Sequence, residues 1–132
     1  MSEHSGRRFV ITGGAGGIGM ETAKALLPTG AYLHLVDIDA KRLAAAAKEL
    51  DGGARVTTHV STLEGPKACA EALDSAGGPV YGLVHLAGVY EIDELTPKSR
   101  HIYDRAIQHN LTNAYDLAVA LRTRMDTSRG PA

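Results

Sequence analysis

Between residues 12 and 19 the chain reads Thr-Gly-Gly-Ala-Gly-Gly-Ile-Gly, five glycines in eight positions, and no other stretch limits so tightly what can form around it. Before it lies the compact apolar run Phe9-Val10-Ile11-Thr12. After it, from Ile18 to Leu27, apolar residues fall at helical spacing until Pro28 and Gly30 stop them. The glycines therefore occupy a strand-to-helix turn. Glycine admits positive φ in a tight turn and lets backbone N–H groups come close to a neighbour. A helix starting there aims its unpaired amides and positive dipole end at the same point, so the arrangement suits an anion.

Downstream the alternation repeats. Tyr32 to Ile38 is β-like, and Asp39 is placed to cap a helix over Lys41 to Leu50, which four consecutive alanines favour and Gly52-Gly53 stops. Arg55 to Val60 reads as a third strand, Gly65 to Ala76 as a third helix closed by Gly77-Gly78-Pro79, and Val80 to Leu86 as a fourth strand. Thr96-Pro97 reads as a cap followed by proline at the first helical position. A long helix then runs to about Met125, with Ile102, Ala106, Ile107, Leu111, Ala114, Ala118, Leu121 and Met125 as its apolar stripe. Strands joined by helices must run parallel, and right-handed crossovers spread the helices over both faces. The expectation is an α/β domain over residues 1–132: a three-layer, doubly wound parallel sheet of about four strands in order 3-2-1-4. Residues 7–125 form it, with 1–6 and 126–132 as tails. The fourth strand then lies at an edge, and an apolar edge with nothing beside it predicts self-association into a homo-oligomer.

A carboxylate completes the turn. Asp37 ends the second strand 18 residues after Gly19, near the spacing of about 20 expected for an acid that grips the ribose of a dinucleotide. Such a carboxylate accepts hydrogen bonds from ribose hydroxyls and repels a 2′-phosphate. No Arg or Lys lies within Gly13 to Gly19 and Ile38 follows Asp37, so no cation is expected to receive that phosphate; NAD is favoured and NADP disfavoured. A formal net charge of −1, no Trp and one Phe leave no basic face and no stacking platform, so neither nucleic acid nor a membrane is an expected partner. No apolar run approaches the ~18 residues of a membrane span, and Cys69 is the single cysteine; a soluble, cytoplasmic protein is expected.

The sequence resembles the short-chain dehydrogenase/reductase family. The pattern Thr12, Gly13, Gly17, Ile18, Gly19 is similar to that family's cofactor turn. Leu83-Val84-His85-Leu86-Ala87-Gly88-Val89 resembles its fourth strand and Asn-Asn-Ala-Gly turn, and Tyr103-Asp104-Arg105 with His109-Asn110-Leu111-Thr112-Asn113-Ala114-Tyr115 resembles its long fourth helix. The resemblance runs from about Arg8 to Met125 and implies a Rossmann-type sheet, here incomplete. It implies that Gly13, Ala15, Gly17, Ile18 and Gly19 line the diphosphate, that Asp37 and Ile38 meet the adenosine ribose, and that His59 and Val60 lie beside the adenine. Ala87, Gly88 and Val89 would form the floor near the nicotinamide ribose, and Asn110 would support a water relay to the active-site lysine. Two positions depart from the pattern. His59 stands where an acid usually reads the adenine, and a neutral imidazole can still accept that hydrogen bond. Leu86 stands where an asparagine usually ties strands together.

The family's reaction uses a Ser and a Tyr with a Lys four positions later, on one face of a helix. The residues four positions after Tyr32, Tyr81, Tyr90, Tyr103 and Tyr115 are Val36, His85, Glu94, Ile107 and Val119. The catalytic half is thus expected to lie outside this chain. His59 and His85 read as strand-end histidines with local hydrogen bonds, Glu91, Asp93 and Glu94 as a solvated loop, and Cys69 as a small core residue; no metal-ligand spacing occurs. The implied activity is hydride transfer between a nicotinamide cofactor and a small alcohol or carbonyl substrate, of which this chain carries the cofactor-binding half. A catalytically silent NAD-binding module, acting as sensor or partner subunit, is the alternative, and a scaffold that no longer binds nucleotide a third reading.

Overall fold

The computed structural model describes residues 3–128. Strands β1 (Arg8–Thr12), β2 (Tyr32–Asp37), β3 (Val56–Val60) and β4 (Gly82–His85) form one parallel sheet in the order β3-β2-β1-β4. Between them run α1 (Gly17–Leu26), α2 (Ala40–Leu50) and α3 (Gly65–Asp74), followed by α4 (Arg100–Ile107) and α5 (Asn113–Arg122). The sheet order and the parallel sense are those expected from the sequence.

Both faces of the sheet are covered, which is why its inner strands are nearly continuous apolar runs. On one face Phe9, Ile11, Leu33 and Leu35 pack with Ala23 and Leu43 of α1 and α2. On the other, Val10, Val36 and Val80 pack with Cys69, Leu73 and Leu117 of α3 and α5. The alternation of Phe9, Val10 and Ile11 between these clusters is the period-2 pleat of a strand. Asp39 caps α2 as expected, its carboxylate accepting from the backbone N–H of Lys41 and Arg42, each at 3.0 Å.

Several boundaries differ from the sequence expectation. Arg55 precedes β3 in a short 3₁₀ turn, Gly53–Arg55, and its guanidinium donates to the carbonyls of Leu27 and Ala31 at 2.9 and 3.2 Å. The helix expected from Pro97 begins only at Arg100. Thr96 to Ser99 instead close a β-turn with Pro97 at its second position, Ser99 N–H donating to the Thr96 carbonyl at 3.0 Å, and proline pre-sets φ there as well as at a helix start. The helix is also not continuous to Met125. A π-helical turn, Gln108–Thr112, separates α4 from α5, and α5 ends at Arg122. The wide turn rotates the helix face, so Asn113, Leu117 and Ala120 are buried while Leu111 is 62% exposed and Ala118 is exposed. The stripe drawn at regular helical spacing is wrong at those positions because the spacing is not regular.

Strand β4 is shorter than expected, and Val80 has another partner. It pairs in parallel with Met125, Val80 N–H donating to the Arg124 carbonyl and Asp126 N–H to the Val80 carbonyl, both at 2.8 Å. The sheet edge is therefore occupied at that point. Of the segments expected as tails, residues 3–6 lie against the corner before β2, with His4 N–H donating to the Thr29 carbonyl at 3.1 Å; residues 129–132 lie outside the described range.

Candidate functional site

The carboxyl ends of β1, β2 and β4 meet at a cleft of about 450 Å³, within the size range of small-molecule sites. The glycine turn forms one wall. Gly13 has φ of +66°, and a Cβ there would stand 2.9 Å from the Ala87 nitrogen and the Leu86 carbonyl carbon, so the turn is packed directly against the backbone leaving β4. A Cβ on Gly19 would collide with the Gly13 carbonyl oxygen. These two glycines serve close packing of turn, strand and helix. Around Gly17, by contrast, the space is open. Gly16 caps α1 with no side-chain hydrogen bond, and the first turn of α1 carries no acid. The first amides of α1 thus remain available at a spot the backbone leaves clear, which fits a bound diphosphate.

Asp37 borders the same cleft. Its Oδ2 accepts from Ala15 N–H at 3.1 Å and its Oδ1 from Asp39 N–H at 3.2 Å, which fixes the carboxylate beside the glycine turn. Close by stands Arg42, on the first turn of α2. It lines the cleft and donates from Nη2 to the Ala15 carbonyl at 3.1 Å. A cation thus stands in the cleft with Asp37, where none was expected from the sequence. The turn itself and the residue after Asp37 carry no cation, whereas one helical turn brings a residue five positions later back over the same place.

The floor follows β4. Thr12 lies opposite His85 in the strand register, and its hydroxyl oxygen accepts from the N–H groups of Leu86 and Ala87 at 3.1 and 3.2 Å. His85 Nδ1 is 2.6 Å from that hydroxyl, and its Nε2 is 3.2 Å from Asn113 Oδ1; Asn113 Nδ2 donates to the His109 carbonyl at 2.8 Å. One assignment satisfies every atom: neutral His85 donates from Nε2–H to Asn113 and accepts the Thr12 proton at Nδ1. Burial pushes the His85 pKa down, and the hydrogen bond to Asn113 opposes that only in part. His85 is thus the locally bonded histidine that the sequence suggested, and it takes over the tying of strand to helix. Sequence reasoning gave Asn113 no role; its buried side chain, 2% exposed, is the one that bridges His85 to the π turn.

Asn110 holds the loop beyond the floor. Its Oδ1 accepts from Val89 N–H and its Nδ2 donates to the Val89 carbonyl, both at 2.9 Å, and a Cβ on Gly88 would meet that Oδ1. Gly13, Asp37, Ile38, Ala87, Gly88 and Val89 all line the cleft. Ala15, Gly17, Ile18 and Gly19 lie in the turn behind or beside it without lining it, and Ile18 is 72% exposed. Val60 pairs with Asp37 at the end of β3, but Ser61 to Glu64 form the cleft edge there. The His59 ring does not line the cleft; it lies 6.3 Å from that of His34, whose nitrogens meet Thr57 Oγ1 and Ser75 Oγ at 2.7 and 2.8 Å.

A parallel sheet in this order, with its cleft at the carboxyl ends of neighbouring strands from which the chain departs in opposite directions, defines a doubly wound α/β protein. The sequence pattern of the short chain dehydrogenase family matches residues 7–131. A short chain dehydrogenase/reductase of Macrophomina phaseolina is 30% identical over 129 residues, which cover 92% of this chain and 73% of the relative. D-threitol dehydrogenase of Mycolicibacterium smegmatis is 30% identical over 131 residues, covering 96% and 50%. Among solved structures, a short-chain dehydrogenase/reductase described as a glucose/ribitol dehydrogenase, from Brucella melitensis, superposes with a TM-score of 0.84 at 27% identity, over 94% of this chain and 54% of that one. The chain belongs to the short-chain dehydrogenase family of oxidoreductases. It spans about half the length of the latter two proteins.

Proposed function

We propose that this chain is the cofactor-binding half of an NAD-dependent oxidoreductase acting on a small alcohol or carbonyl compound. The observation that carries the reading is the pairing of two features at one turn: α1 amides with no capping side chain beside open Gly17, and the Asp37 carboxylate fixed on the turn's Ala15. The amides would hold the diphosphate and Asp37, with Ile38, the adenosine ribose; Val60 is assigned the adenine side, without His59, whose ring lies outside the cleft beside His34, and Ala87, Gly88 and Val89 the nicotinamide ribose. A bound nicotinamide would supply hydride acceptance or donation. The chain's own residues bind and orient: Asn110 fixes Val89, and Thr12, His85 and Asn113 fix the floor beneath it. No tyrosine here has a lysine four residues on, so proton transfer is assigned to the remainder of a complete enzyme, where Asn110 would serve the relay that the family resemblance implies.

The preference for NAD rests on Asp37, which can accept from both ribose hydroxyls and repels a 2′-phosphate. Titration of NADH fluorescence tests the reading. Saturable binding is expected, weakened about tenfold by Asp37→Ala, the effect of losing hydrogen bonds to a charged acceptor. Absence of NADH binding by folded protein contradicts it. A silent NAD-binding subunit is the second reading; it would bind NADH equally well and show no turnover in any complete polypeptide. We assign the protein to the cytoplasm, in keeping with its lone, buried thiol, and propose self-association through the exposed face of Leu111, Tyr115 and Val119. Light scattering that finds only monomer at high concentration contradicts the latter.

A further inference from the structure

Carboxylates fasten the loops beside the cleft to the helical segment that follows β4. Glu91, in the loop after β4, meets Arg105 Nε of α4 at 3.2 Å, and Glu64, in the loop after β3, meets His109 Nε2 of the π turn at 3.3 Å. Glu64, Arg105 and His109 all line the cleft. Of these pairs the second alone can lose its cation near neutral pH, because a guanidinium stays charged while an imidazole titrates. The loop that carries Glu64 is held in a strained shape. Leu63 has φ of +57°, uncommon for a residue with a Cβ, and is 2% exposed in the core with Val36, Cys69 and Leu117. Ser61 Oγ accepts from its N–H at 3.0 Å, and its carbonyl accepts from Cys69 Sγ at 3.6 Å. With Leu63 anchored inward, the Glu64 side chain stands at the cleft edge, 58% exposed. It occupies the N-cap position of α3 and caps nothing, and that helix has no acid in its first turn. Pro66 has no N–H to offer, so the amide that a cap there would take is that of Lys67. The Glu64 carboxylate therefore has two berths, the His109 ring and the Lys67 N–H of its own helix.

We propose that Glu64 and His109 are positioning residues that latch the β3 side of the cleft: charged His109 holds the loop against the π turn, and neutral His109 releases it, Glu64 then passing to the Lys67 N–H. What the latch retains is the ligand of the cleft, and for the identity of that ligand the inference rests on the dinucleotide reading. Nε2 carries a proton in both states, since the carboxylate only accepts. The proton given up to solvent as the pH rises is the one on Nδ1, and its loss leaves an ion–neutral bond in place of an ion pair. The other charged groups around His109 are already engaged. Arg105, one helical turn back, is paired with Glu91, and Lys67 of α3 with Glu71 at 3.8 Å. Asp37 and Arg42 stand on the glycine-turn side of the cleft, bonded to Ala15. His85 is reached through Asn113, and Asp116 of α5 acts on Cys69 in the core below.

The test follows NADH release from the full chain by stopped-flow fluorescence at about pH 5.5 and about pH 8.5, on either side of the range in which histidines ordinarily titrate. The native chain is expected to release NADH about two- to fivefold more slowly at the lower pH, the worth of a partly exposed ion pair. Glu64→Gln keeps the His109 charge without a carboxylate to hold it, and His109→Gln can donate to Glu64 but is never charged. Each is expected to release NADH at the faster rate at both pH values, and should one not fold, the other decides. A pH ratio that survives either substitution overturns the latch, because the charge would then act on the ligand directly or belong to another group. A second measurement needs no nucleotide. In ¹⁵N spectra of the native chain, the Lys67 amide is expected to move along the same titration curve as the His109 ring, and in Glu64→Gln to stay still. A Lys67 amide indifferent to that titration in the native chain overturns the latch, whether or not NADH binds. One that follows it in a chain that binds no NADH supports the latch and sinks the dinucleotide reading alone.

Discussion

At the scale of single residues, two kinds of position carry the account, those that face the cleft and those that hold the sheet beneath it. His34 belongs to the second kind. It is 1% exposed, and burial holds its pKa down to about 4, with the neighbouring His59 and Arg8 adding to the effect while a backbone hydrogen bond with Ala72 opposes it. An unfolded chain takes up this proton near pH 6.5, so between 6.5 and 4 the unfolded state binds more protons than the folded one. Stability from neutral His34 is thus complete above about pH 6.5 and is lost as the pH falls toward 4, by roughly 2–3 kcal/mol. Denaturation at about pH 7.5 and about pH 4.5, on either side of that window, checks this: native His34 is expected to lose more than His34→Gln, and equal losses contradict it. Residues of the first kind were unevenly legible in the sequence. Gly13 and Asp37 could be named from the glycine turn and its spacing to the strand-end acid, and Ala87 and Gly88 through the family resemblance, because each acts through the backbone or through its place at a strand end. Arg42 could not, since its relevance comes from α2 turning back over the glycine loop.

At the scale of elements, strand and helix order followed from apolar periodicity, whereas the interior of the last helix did not. A run drawn at 3.6 residues per turn has no room for the five-residue π turn, and that turn decides whether Leu111 or Asn113 faces the sheet. Once Asn113 is inside, it needs partners, and His85 Nε2–H and the His109 carbonyl supply them. Asn113→Leu has nearly the right volume but leaves both of those groups unsatisfied. It is expected to cost about 1–3 kcal/mol, read as a lowered denaturation midpoint with an unchanged slope. A variant as stable as the native chain would mean that water or a rearranged helix takes over these bonds. The strand-end histidine and the helix asparagine were both visible in the sequence; their contact was not, because the register Thr12 to His85 and the phase of the π turn together create it.

At the scale of the whole molecule, the sheet has its cleft where the chain leaves β1 and β4 in opposite directions, and the segment after α5 returns to pair at Val80. The sequence could supply the strand order because every crossover is a helix and each helix has a face to bury. It could not show that the edge beside Val80 is occupied, since that needs the path of Arg124 to Asp126. Dinucleotide binding by this chain depends on an anion site made by backbone amides. It is tested most directly by recording amide shifts in a ¹⁵N correlation spectrum while ADP-ribose is added. The expected result is saturable displacement of the Gly16, Gly17 and Ile18 amides, with smaller movements at Ile38. Saturation that leaves these amides in place, or a spectrum unchanged by the ligand, would contradict it.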